Sequence, residues 1–338
     1  MLPTVSVVVP VRNGAAYLAD ALESVLDQSF VCFELIVVDD GSTDDSAEIA
    51  EAFARRDPRV VVLRREHSGL VRSLNDGIAG ARGTYIARMD ADDLCHPGRL
   101  EKQIAYLDAH PECVAVGCAV EVIDARDHHV GVIRFAETHE AIVDALLRGS
   151  TPMAHPATVF RRQAFDAAGG YDASSYPSED LALWIAMSET GRLANLPEPL
   201  LRYRRHGGSV SVRQREAQMR MTAAIADRAR RARGLPPLRR RYLTPGRAVE
   251  SRYHFECARF ALVGGPRVAV LHHAAKAIAS DPLWLEPYAA LIAALFPRAA
   301  LRWFLERRAR FRTQGTPRGA ARDAVERSAG LNAETPPL

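Results

Sequence analysis

Short apolar runs alternate with segments of helical periodicity along the first third of the chain. Four runs rich in β-branched residues predict buried strands at Val5–Val9, Phe33–Val38, Val60–Leu63 and Thr84–Met89. Between the first two, apolar residues recur every three or four positions, as in Leu18, Ala21, Leu22, Val25 and Leu26, which predicts an amphipathic helix. The repeated order of strand and helix predicts a parallel sheet with helices on both faces.

Polar residues next to the periodic segments predict where the helices begin. Asn13 and Ser42 have side chains of the type that caps helix N-termini, and we expect them to cap the first and second helices. The second helix should continue to about Arg55. The third is predicted over 69–81, and the fourth from Pro97 to about His110.

The pattern becomes mixed after Cys113 and helical after residue 215. Strands are predicted at Val114–Ile123 and Val130–Phe135, a helix at Thr138–Leu147, and short elements with turns over 151–215. An Arg-rich helix is predicted over 216–233, followed by helices over 247–263, 266–280, 284–296 and 298–312. The expected organisation is an α/β domain over 1–215, a helical region over 216–312 and a disordered tail over 313–338.

The charge is distributed unevenly along this organisation. The whole chain has a net charge of +3, but residues 1–215 contain 22 basic and 31 acidic residues, a balance of −9. The remaining residues contain 22 basic and 10 acidic ones, a balance of +12. Only Lys102 and Lys276 are lysines, and neither lies in a phosphate-binding G-x-x-x-x-G-K-[ST] loop. This excludes P-loop chemistry.

Cysteine usage and the N-terminus predict the compartment. The five cysteines are odd in number, scattered and free of C-x-x-C pairs, as is typical of buried thiols in a reducing cytosol. The N-terminus lacks the basic region of a signal peptide, and no window has the ~18 apolar residues of a membrane span. We expect a cytoplasmic protein that is at most peripheral to a membrane.

Acidic residues follow the second and fourth predicted strands and begin a later helix. They are Asp39-Asp40, Asp90-Ala91-Asp92-Asp93 and Glu179-Asp180. Strand ends of a parallel sheet meet at the edge where ligands bind. There, one carboxylate can accept a hydrogen bond from a nucleotide base, and a D-x-D pair can bind a divalent cation. A carboxylate at the start of a helix can take a proton from a substrate as a general base.

Each acidic group taken alone also has a structural explanation. Asp39 to Thr43 can form a turn with a helix cap, Asp90 to Asp93 a solvated loop, and Glu179-Asp180 a complement to the helix dipole. Their order along the chain and their placement at strand ends favour a ligand site over three coincidences.

Three segments carry a recognisable combination of motifs: Ser6 to Gly14 (SVVVPVRNG), Val37 to Asp44 (VVDDGSTD) and Met89 to Asp93 (MDADD). Together they resemble the bacterial family 2 glycosyltransferases, inverting enzymes with the GT-A fold. His155-Pro156, Arg161, Gly169 to Asp172, Glu179 to Leu181 and Tyr203 to His206, with Ser209 and Ser211, fit the same family. The resemblance covers about residues 4–210.

The resemblance implies a Rossmann-like fold and a nucleotide-sugar pocket. The implied pocket residues are Pro10, Arg12, Asn13, Asp39, Asp40, Arg72, Asn75, Asp90, Ala91, Arg202, Arg205 and His206. Asp40 would accept from the base, and His206 with Arg202 or Arg205 would hold the leaving diphosphate. Asp92 would be the main contact of a divalent metal, Mn²⁺ or Mg²⁺, with Asp90 beside it.

The resemblance also implies an inverting transfer of a hexosyl residue. The donor would be a nucleotide-sugar, in the first instance a UDP-sugar, and the acceptor a hydroxyl of a polysaccharide or lipid-linked glycan. Asp180 would take the acceptor proton, Glu179 would orient it, and His155 and Trp184 would lie on the acceptor side. Arg12 stands where relatives often have an aromatic residue, and His67 where many have Asn.

Two other functions and one partner surface stay open on the sequence. A sugar nucleotidyltransferase is disfavoured because Pro10 to Gly14 contains no lysine, and a non-catalytic nucleotide-sugar-binding module is disfavoured by Asp92 and Asp180. Arg302, Arg307, Arg308, Arg310 and Arg312 alternate with Trp303, Phe304, Leu305 and Phe311, which suits an anionic membrane at the inner face of the plasma membrane, an exposed helix or a dimer face. No reader motif supports nucleic-acid binding.

Overall fold

A computed structural model describes residues 2–209, 213–238, 249–283 and 285–295. The strands are β1 (Val5–Val11), β2 (Phe33–Asp40), β3 (Val60–Arg65), β4 (Tyr85–Arg88), β5 (Leu94–Cys95), β6 (Cys113–Ile123), β7 (His129–Ile133), β8 (Val159–Arg161) and β9 (Arg192–Arg204). The helices are α1 (Ala15–Leu26), α2 (Ser46–Arg56), α3 (Leu70–Ala79), α4 (Arg99–Ala109), α5 (His139–Leu147), α6 (Arg162–Ala167), α7 (Glu179–Met187), α8 (Arg215–Ala232), α9 (Val249–Gly264), α10 (Arg267–Ser280) and α11 (Leu285–Ala293).

One nine-stranded mixed sheet organises the molecule, in the order β3-β2-β1-β4-β8-β6-β9-β5, with β7 paired to β6. β1 is parallel to β2 and β4, and β2 is parallel to β3. β8 runs antiparallel between β4 and β6, and β9 is parallel to β6. The C-terminal ends of β1, β2, β4 and β9 therefore meet at one edge, which is where ligands bind in open α/β sheets.

Alternating residues of the strands supply two cores, one on each face of the sheet. Val7 and Val9 pack with residues of α1 and α4, whereas Val8 packs with residues of α3 and α7. Every residue of β1 and β2 is buried, as expected for parallel strands covered on both sides. This explains why the apolar runs in the sequence are continuous instead of alternating.

A third core joins the C-terminal helices to the β6–β7 hairpin. Val122 and Val130 pack against residues of α9, α10 and α11. The turn before α10 approaches β7 so closely that a Cβ on Gly265 would lie 1.6 Å from the carbonyl oxygen of Val130. Residue 265 must therefore lack a side chain, and the helical region is docked directly on the sheet.

Both predicted helix caps are wrong. Gly14, not Asn13, precedes α1, and Asp45 precedes α2, which begins four residues after Ser42. Asn13 instead has a left-handed φ of 53°, and its N–H donates to the hydroxyl of Ser42 at 3.0 Å. The two residues link the loops that follow β1 and β2, so long-range bonding replaced the predicted local caps.

The predicted order of elements is confirmed for the first half of the described residues. The first four strands, the helices between them and the β6–β7 pair lie where the pattern placed them. The 13-residue strand β9 lies in a stretch for which only short elements were predicted. The predicted helix over 298–312, the tail over 313–338 and Ser211 lie outside the described residues. Within those residues, no helix has the length and apolar character that crossing a bilayer requires.

Candidate active site

The loop after β2 is tied to the start of α3 through Asp40. Its buried carboxylate accepts the backbone N–H groups of Ser68 at 2.7 Å and Gly69 at 3.0 Å, and lies 2.8 Å from Nδ1 of His67. Burial acts to raise the pKa of Asp40, but these hydrogen bonds together hold it below its usual value. Both carboxylate oxygens are thus engaged by the 67–69 segment, and a nucleotide base would have to share or displace these bonds.

Neighbouring residues complete the wall predicted to hold the nucleotide. Asn13 Oδ1 accepts the N–H of Thr43 at 2.8 Å, and Asp39 Oδ1 accepts the N–H of Ser42 at 3.2 Å. Pro10 is buried in β1, and Arg12 is exposed at the end of that strand. The loops after β1 and β2 therefore form one bonded unit at the edge of the sheet.

Three carboxyl groups converge in the loop after β4. Oxygens of Asp90, Asp92 and Asp93 lie within 4.8 Å of one another. Asp93 is fully buried, accepts the N–H of Arg204 at 2.8 Å through Oδ1, and has no hydrogen-bond partner for Oδ2 among the described residues. Burial, reinforced by the charges of Asp92 and Asp90, raises the pKa of Asp93 well above its usual value. An all-oxygen set with an unpaired buried oxygen suits a hard divalent cation.

Basic side chains surround this acidic cluster. Nε2 of His206 lies 2.8 Å from Asp92 Oδ2, and Nη2 of Arg88 lies 2.5 Å from Asp90 Oδ1. Nε of Arg204 donates to the carbonyl of Asp92 at 2.7 Å. Burial raises the pKa of Asp90, although the charge of Arg88 acts in the opposite direction. Asp90 keeps 32% of its side chain exposed, so solvent screens part of this interaction.

Glu179 and Asp180 form the first turn of α7. Glu179 is buried, and its Oε2 has no hydrogen-bond partner among the described residues. Burial, followed by the charge of Asp180, raises the pKa of Glu179 to about 7. Burial also raises the pKa of Asp180, against a hydrogen bond from the N–H of Leu181 and the charge of Arg88. Two neighbouring acids with raised pKa values fit proton transfer near neutral pH.

His155 and Trp184, the residues predicted for the acceptor side, are both buried. Nε2 of His155 lies 2.6 Å from the hydroxyl of Tyr171, and burial, followed by the charge of Arg88, holds the pKa of His155 well below its usual value. Trp184 is fully buried and its ring meets that of His155 edge-on. Trp184 therefore supports His155 from the core and has no surface available for an acceptor.

The side chain of Asn75 hydrogen-bonds to the backbone of Tyr171. Its Nδ2 donates to the carbonyl of Tyr171 at 2.9 Å, and its Oδ1 accepts the N–H of the same residue at 3.1 Å. The amide is thus fully used in joining α3 to the segment before α7. This role is structural, whereas the resemblance implied a contact with phosphate or sugar.

Three predicted arginines are not brought to the acidic cluster. Arg72 is exposed on α3 beside Asp76, and Arg202 lies near Glu121 and donates to the carbonyl of Asp127. Arg205 is buried, and its Nη2 donates to Glu256 of α9 at 2.7 Å. Arg205 was predicted to hold the leaving diphosphate, but its guanidinium points toward α9 and not toward the acidic cluster. Glu256 also pairs with Arg215, so this carboxylate ties β9 and α8 to the C-terminal helices.

The sequence did not single out Arg88, and it gave no role of their own to Asp93 or Arg204, although both lie in the motifs named above. The available signal was a charge inside a buried stretch: Arg88 ends the run Tyr85-Ile86-Ala87, all of it buried. A cation at such a position is retained at a cost in desolvation and needs an acidic partner. Asp90, two residues later, is that partner.

The sequence of this chain is similar to the sequences of known proteins. The model of the family described as "Glycosyl transferase family 2" matches residues 6–169. An uncharacterized glycosyltransferase of Haemophilus influenzae is 32% identical over 62% of this chain and 68% of its own length. This chain belongs to glycosyltransferase family 2. It is therefore a transferase enzyme.

Further family members agree with that assignment. EpsE of Bacillus subtilis is 36% identical over 60% of this chain and 73% of its own length. The amylovoran biosynthesis glycosyltransferase AmsE of Erwinia amylovora is 33% identical over 58% of this chain and 74% of its own length. Each of these matches covers about three fifths of this chain.

Solved structures confirm the GT-A fold. S. aureus TarS 1–349 in complex with UDP-GlcNAc superposes with a TM-score of 0.54 at 20% identity, over 86% of this chain and 79% of that one. The mannosyltransferase PcManGT of Pyrobaculum calidifontis, in complex with GDP-Man and Mn²⁺, gives 0.53 at 20% identity, over 87% and 86%. The predicted fold class is thereby confirmed.

Proposed function

We propose that this glycosyltransferase moves a hexosyl residue from a nucleotide-sugar to a hydroxyl group and inverts the anomeric centre. The observation that carries the proposal is the approach of two acidic groups at one sheet edge. Asp90, Asp92 and Asp93 lie at the end of β4, and Glu179 with Asp180 begins α7. Arg88 interacts with both groups.

The two groups divide the chemistry of such a transfer. We assign Asp180 as the base that takes the proton of the acceptor hydroxyl, with Glu179 orienting it. Asp92 and Asp90, joined by Asp93, would hold Mn²⁺ or Mg²⁺, whose charge offsets the charge that develops on a diphosphate leaving group. His206 would stand beside that diphosphate, because its Nε2 already contacts Asp92.

The donor is supported by relatives and by the loop geometry. TarS and PcManGT carry UDP-GlcNAc and GDP-Man in the structures described above. In this chain, the joined loops after β1 and β2 offer Asn13, Asp39 and Asp40 to a nucleotide. We propose a UDP-sugar as the first donor to test, and a surface polysaccharide or lipid-linked glycan as the acceptor, since AmsE is named for amylovoran biosynthesis.

A donor panel tests this function. Purified protein is incubated with UDP-glucose, UDP-galactose, UDP-GlcNAc and GDP-mannose, with Mn²⁺, Mg²⁺ or EDTA, and nucleotide release is measured. We expect release with one donor, its loss with EDTA, and a drop of at least ~100-fold in Asp92→Ala and Asp180→Asn. Asp166→Asn changes an exposed acid on α6 and should behave as wild type.

Two results would overturn the proposal. One is a wild type that releases no nucleotide with any donor and metal. The other is release that Asp92→Ala and Asp180→Asn leave unchanged. Transfer of the nucleotidyl group of a nucleoside triphosphate to a sugar 1-phosphate, with release of pyrophosphate, would instead identify a nucleotidyltransferase.

We also propose a peripheral contact between the C-terminal region and an anionic membrane. Seven of the large apolar side chains that are exposed among the described residues lie on α10, α11 or next to them: Val268, Leu271, Leu283, Leu285, Tyr288, Ile292 and Leu295. The sequence that follows contains Arg307, Arg308, Arg310 and Arg312. Exposed apolar side chains that are followed in the sequence by a group of basic residues fit the interface of an anionic bilayer.

Vesicle flotation tests the membrane contact. Wild type should float with phosphatidylglycerol-containing vesicles and not with pure phosphatidylcholine. Replacing Arg307, Arg308, Arg310 and Arg312 by Gln should abolish flotation, as should Leu285→Ser with Ile292→Ser. The same replacement at Arg55, Arg56, Arg64 and Arg65, which are exposed on the α/β part, is the control. Flotation that ignores lipid charge and these variants would refute the contact.

A further inference from the structure

Arg88 is a buried cation at the end of β4. Only 4% of its side chain is exposed, and Nη2 contacts Asp90 at 2.5 Å. Alternate residues of a strand share a face, so Arg88 projects to the same side as Ile86, which packs in the core that includes residues of α3 and α7. The guanidinium therefore lies on the side of the sheet where α7 begins with Glu179 and Asp180.

The charge of Arg88 reaches both acidic groups of the site. It lowers the pKa of Asp90 and Asp93 on one side, and of Glu179 and Asp180 on the other. Burial acts against it at each of the four carboxyls and leaves each pKa raised. One guanidinium thus offsets part of the repulsion in two clusters that are about ninety residues apart in the sequence.

The hydrogen bonding of Arg88 does not fit a purely structural role. Nε and Nη1 are buried and have no acceptor among the described residues. Each unpaired buried donor loses its hydrogen bonds to water without replacement, and an apolar side chain of similar volume would avoid that cost. By contrast, Nε, Nη1 and Nη2 of Arg161 each donate to a carbonyl or a hydroxyl oxygen. This is expected for an arginine that only supports the fold.

We propose that Arg88 is a positioning residue of the transfer reaction, which fixes Asp90 through one nitrogen and stabilises the carboxylate form of Asp180 through its charge. This rests on the proposed role of Asp180 as the base. The other titratable or charged groups that face this region from the surrounding elements are Asp92, Asp93, Arg99, His155, Tyr171, Glu179, Tyr203, Arg204 and His206. Arg88 is a basic group whose charge acts on all four carboxyls.

The pH dependence of kcat/KM tests the proposal. A carboxylate base must be ionised, so activity rises with pH through its pKa. Removing a nearby cation raises that pKa, and Arg88→Met should shift the acidic limb upward by ~1 pH unit. At a pH below the limb, this amounts to an additional ~10-fold loss. Arg88→Lys keeps the charge and should return the limb toward its wild-type position while kcat stays reduced.

Arg161→Met is the matched control. It removes an arginine from the neighbouring strand β8 that caps carbonyls of Leu107 and Cys113. It should lower the melting temperature without moving the acidic limb. If Arg88→Met is too unstable to purify, Arg88→Gln provides a second neutral variant for the same comparison.

A ¹³C NMR titration of the side-chain carboxyl carbons separates this proposal from the proposed function. The midpoints of Glu179 and Asp180 should be higher in Arg88→Met than in wild type, with or without turnover. Unchanged midpoints, or an unchanged limb in an active Arg88→Met enzyme, overturn the role of Arg88. A wild type that is inactive with every donor, but with shifted midpoints in the variant, overturns the proposed function alone.

Discussion

At the scale of single residues, the site is defined by carboxyl groups held away from their ordinary ionisation. Asp40 is driven toward the ionised form by hydrogen bonds from the 67–69 segment. Glu179 is driven toward the protonated form, because its carboxyl group is buried and the charge of Asp180 adds to the effect; its Oε2 has no hydrogen-bond partner among the described residues. A carboxyl group is thus held ionised at Asp40 and resists ionisation at Glu179, according to its burial and the hydrogen bonds available to it.

Glu179 makes stability depend on pH in a direction that can be measured. Its pKa of about 7 in the folded chain exceeds the usual 4.5, so the folded state binds the proton more tightly and loses stability as pH rises from about 4.5 through 7. Glu179→Gln removes this loss. Thermal unfolding should show the variant to be more stable than wild type at pH 8, by on the order of 2 kcal/mol, and by a much smaller margin at pH 5.

Glu66→Gln is the comparison for that experiment, because Glu66 is exposed and should give the same melting temperature as wild type at both pH values. A Glu179→Gln variant that is less stable than wild type at pH 8 would show that the carboxylate is compensated in the folded chain. The buried, unpaired environment described above would then be wrong.

At the scale of elements, close backbone approach fixes how the helical region meets the sheet. The carbonyl of Val130 in β7 occupies the place where residue 265 would carry a Cβ. Arg205 at the end of β9 adds a buried ion pair with Glu256 of α9. Both contacts join the C-terminal helices to strands that also lead to the site, since His206 follows Arg205 directly.

Gly265→Ala should undock the C-terminal helices. The added methyl meets backbone, not a movable side chain, so β7 or the start of α10 must shift, at a cost of ~2 kcal/mol. Hydrogen–deuterium exchange should increase in α9, α10 and β7. Gly80→Ala, whose methyl would find its nearest neighbours at 3.7 Å, should leave exchange unchanged. Equal exchange in both variants would contradict the docking described here.

At the scale of the whole molecule, a histidine pair lies where the helices cover the sheet. Nδ1 of His254 lies 2.9 Å from Nδ1 of His273, and both rings are buried. Nε2 of His273 lies 3.8 Å from Asp124 Oδ2, which also contacts His128. Burial, together with the neighbouring cationic groups His272, His273 and Lys276, lowers the pKa values of His254 and His273 to about 4.

Acid should therefore loosen the C-terminal helices before it loosens the sheet. Because the two pKa values are below the usual 6.5, the unfolded state binds more protons between about pH 6.5 and 4, and stability falls as pH is lowered through that window. We expect a loss on the order of 2 kcal/mol in the helical region. Hydrogen exchange at pH 7 and pH 5, corrected for intrinsic rates, should show it in α9 and α10 but not in β1 or β2.

His254→Gln with His273→Gln serves as the test of cause, because glutamine does not titrate in this range. The acid-induced difference between α9–α10 and β1–β2 should disappear in the double variant. His96→Gln, at an exposed position in the loop after β5, should retain it. An equal acid response in the double variant and wild type would rule out the histidine pair as the cause.

The sequence by itself determined the elements and the placement of the acids. Continuous apolar runs specify strands that are buried on both faces, and Asp39, Asp90 and Asp180 follow from their positions at strand and helix ends. These signals are local, since they depend on residues a few positions apart. The order of the parallel strands then brings the acids to one edge.

Only the tertiary structure decided which groups the polar side chains of the site contact. Asn13 and Ser42 bond to each other and not to their own helices, and Arg205 donates to Glu256 on α9. Trp184 lies in the core, and Arg88 contacts Asp90 while its charge also acts on Glu179 and Asp180. Each of these outcomes depends on groups that are far apart in the sequence. A guanidinium or an amide can hydrogen-bond to any suitable group that packing places within its reach. The sequence therefore specifies the residue type, and the fold decides which group that residue contacts.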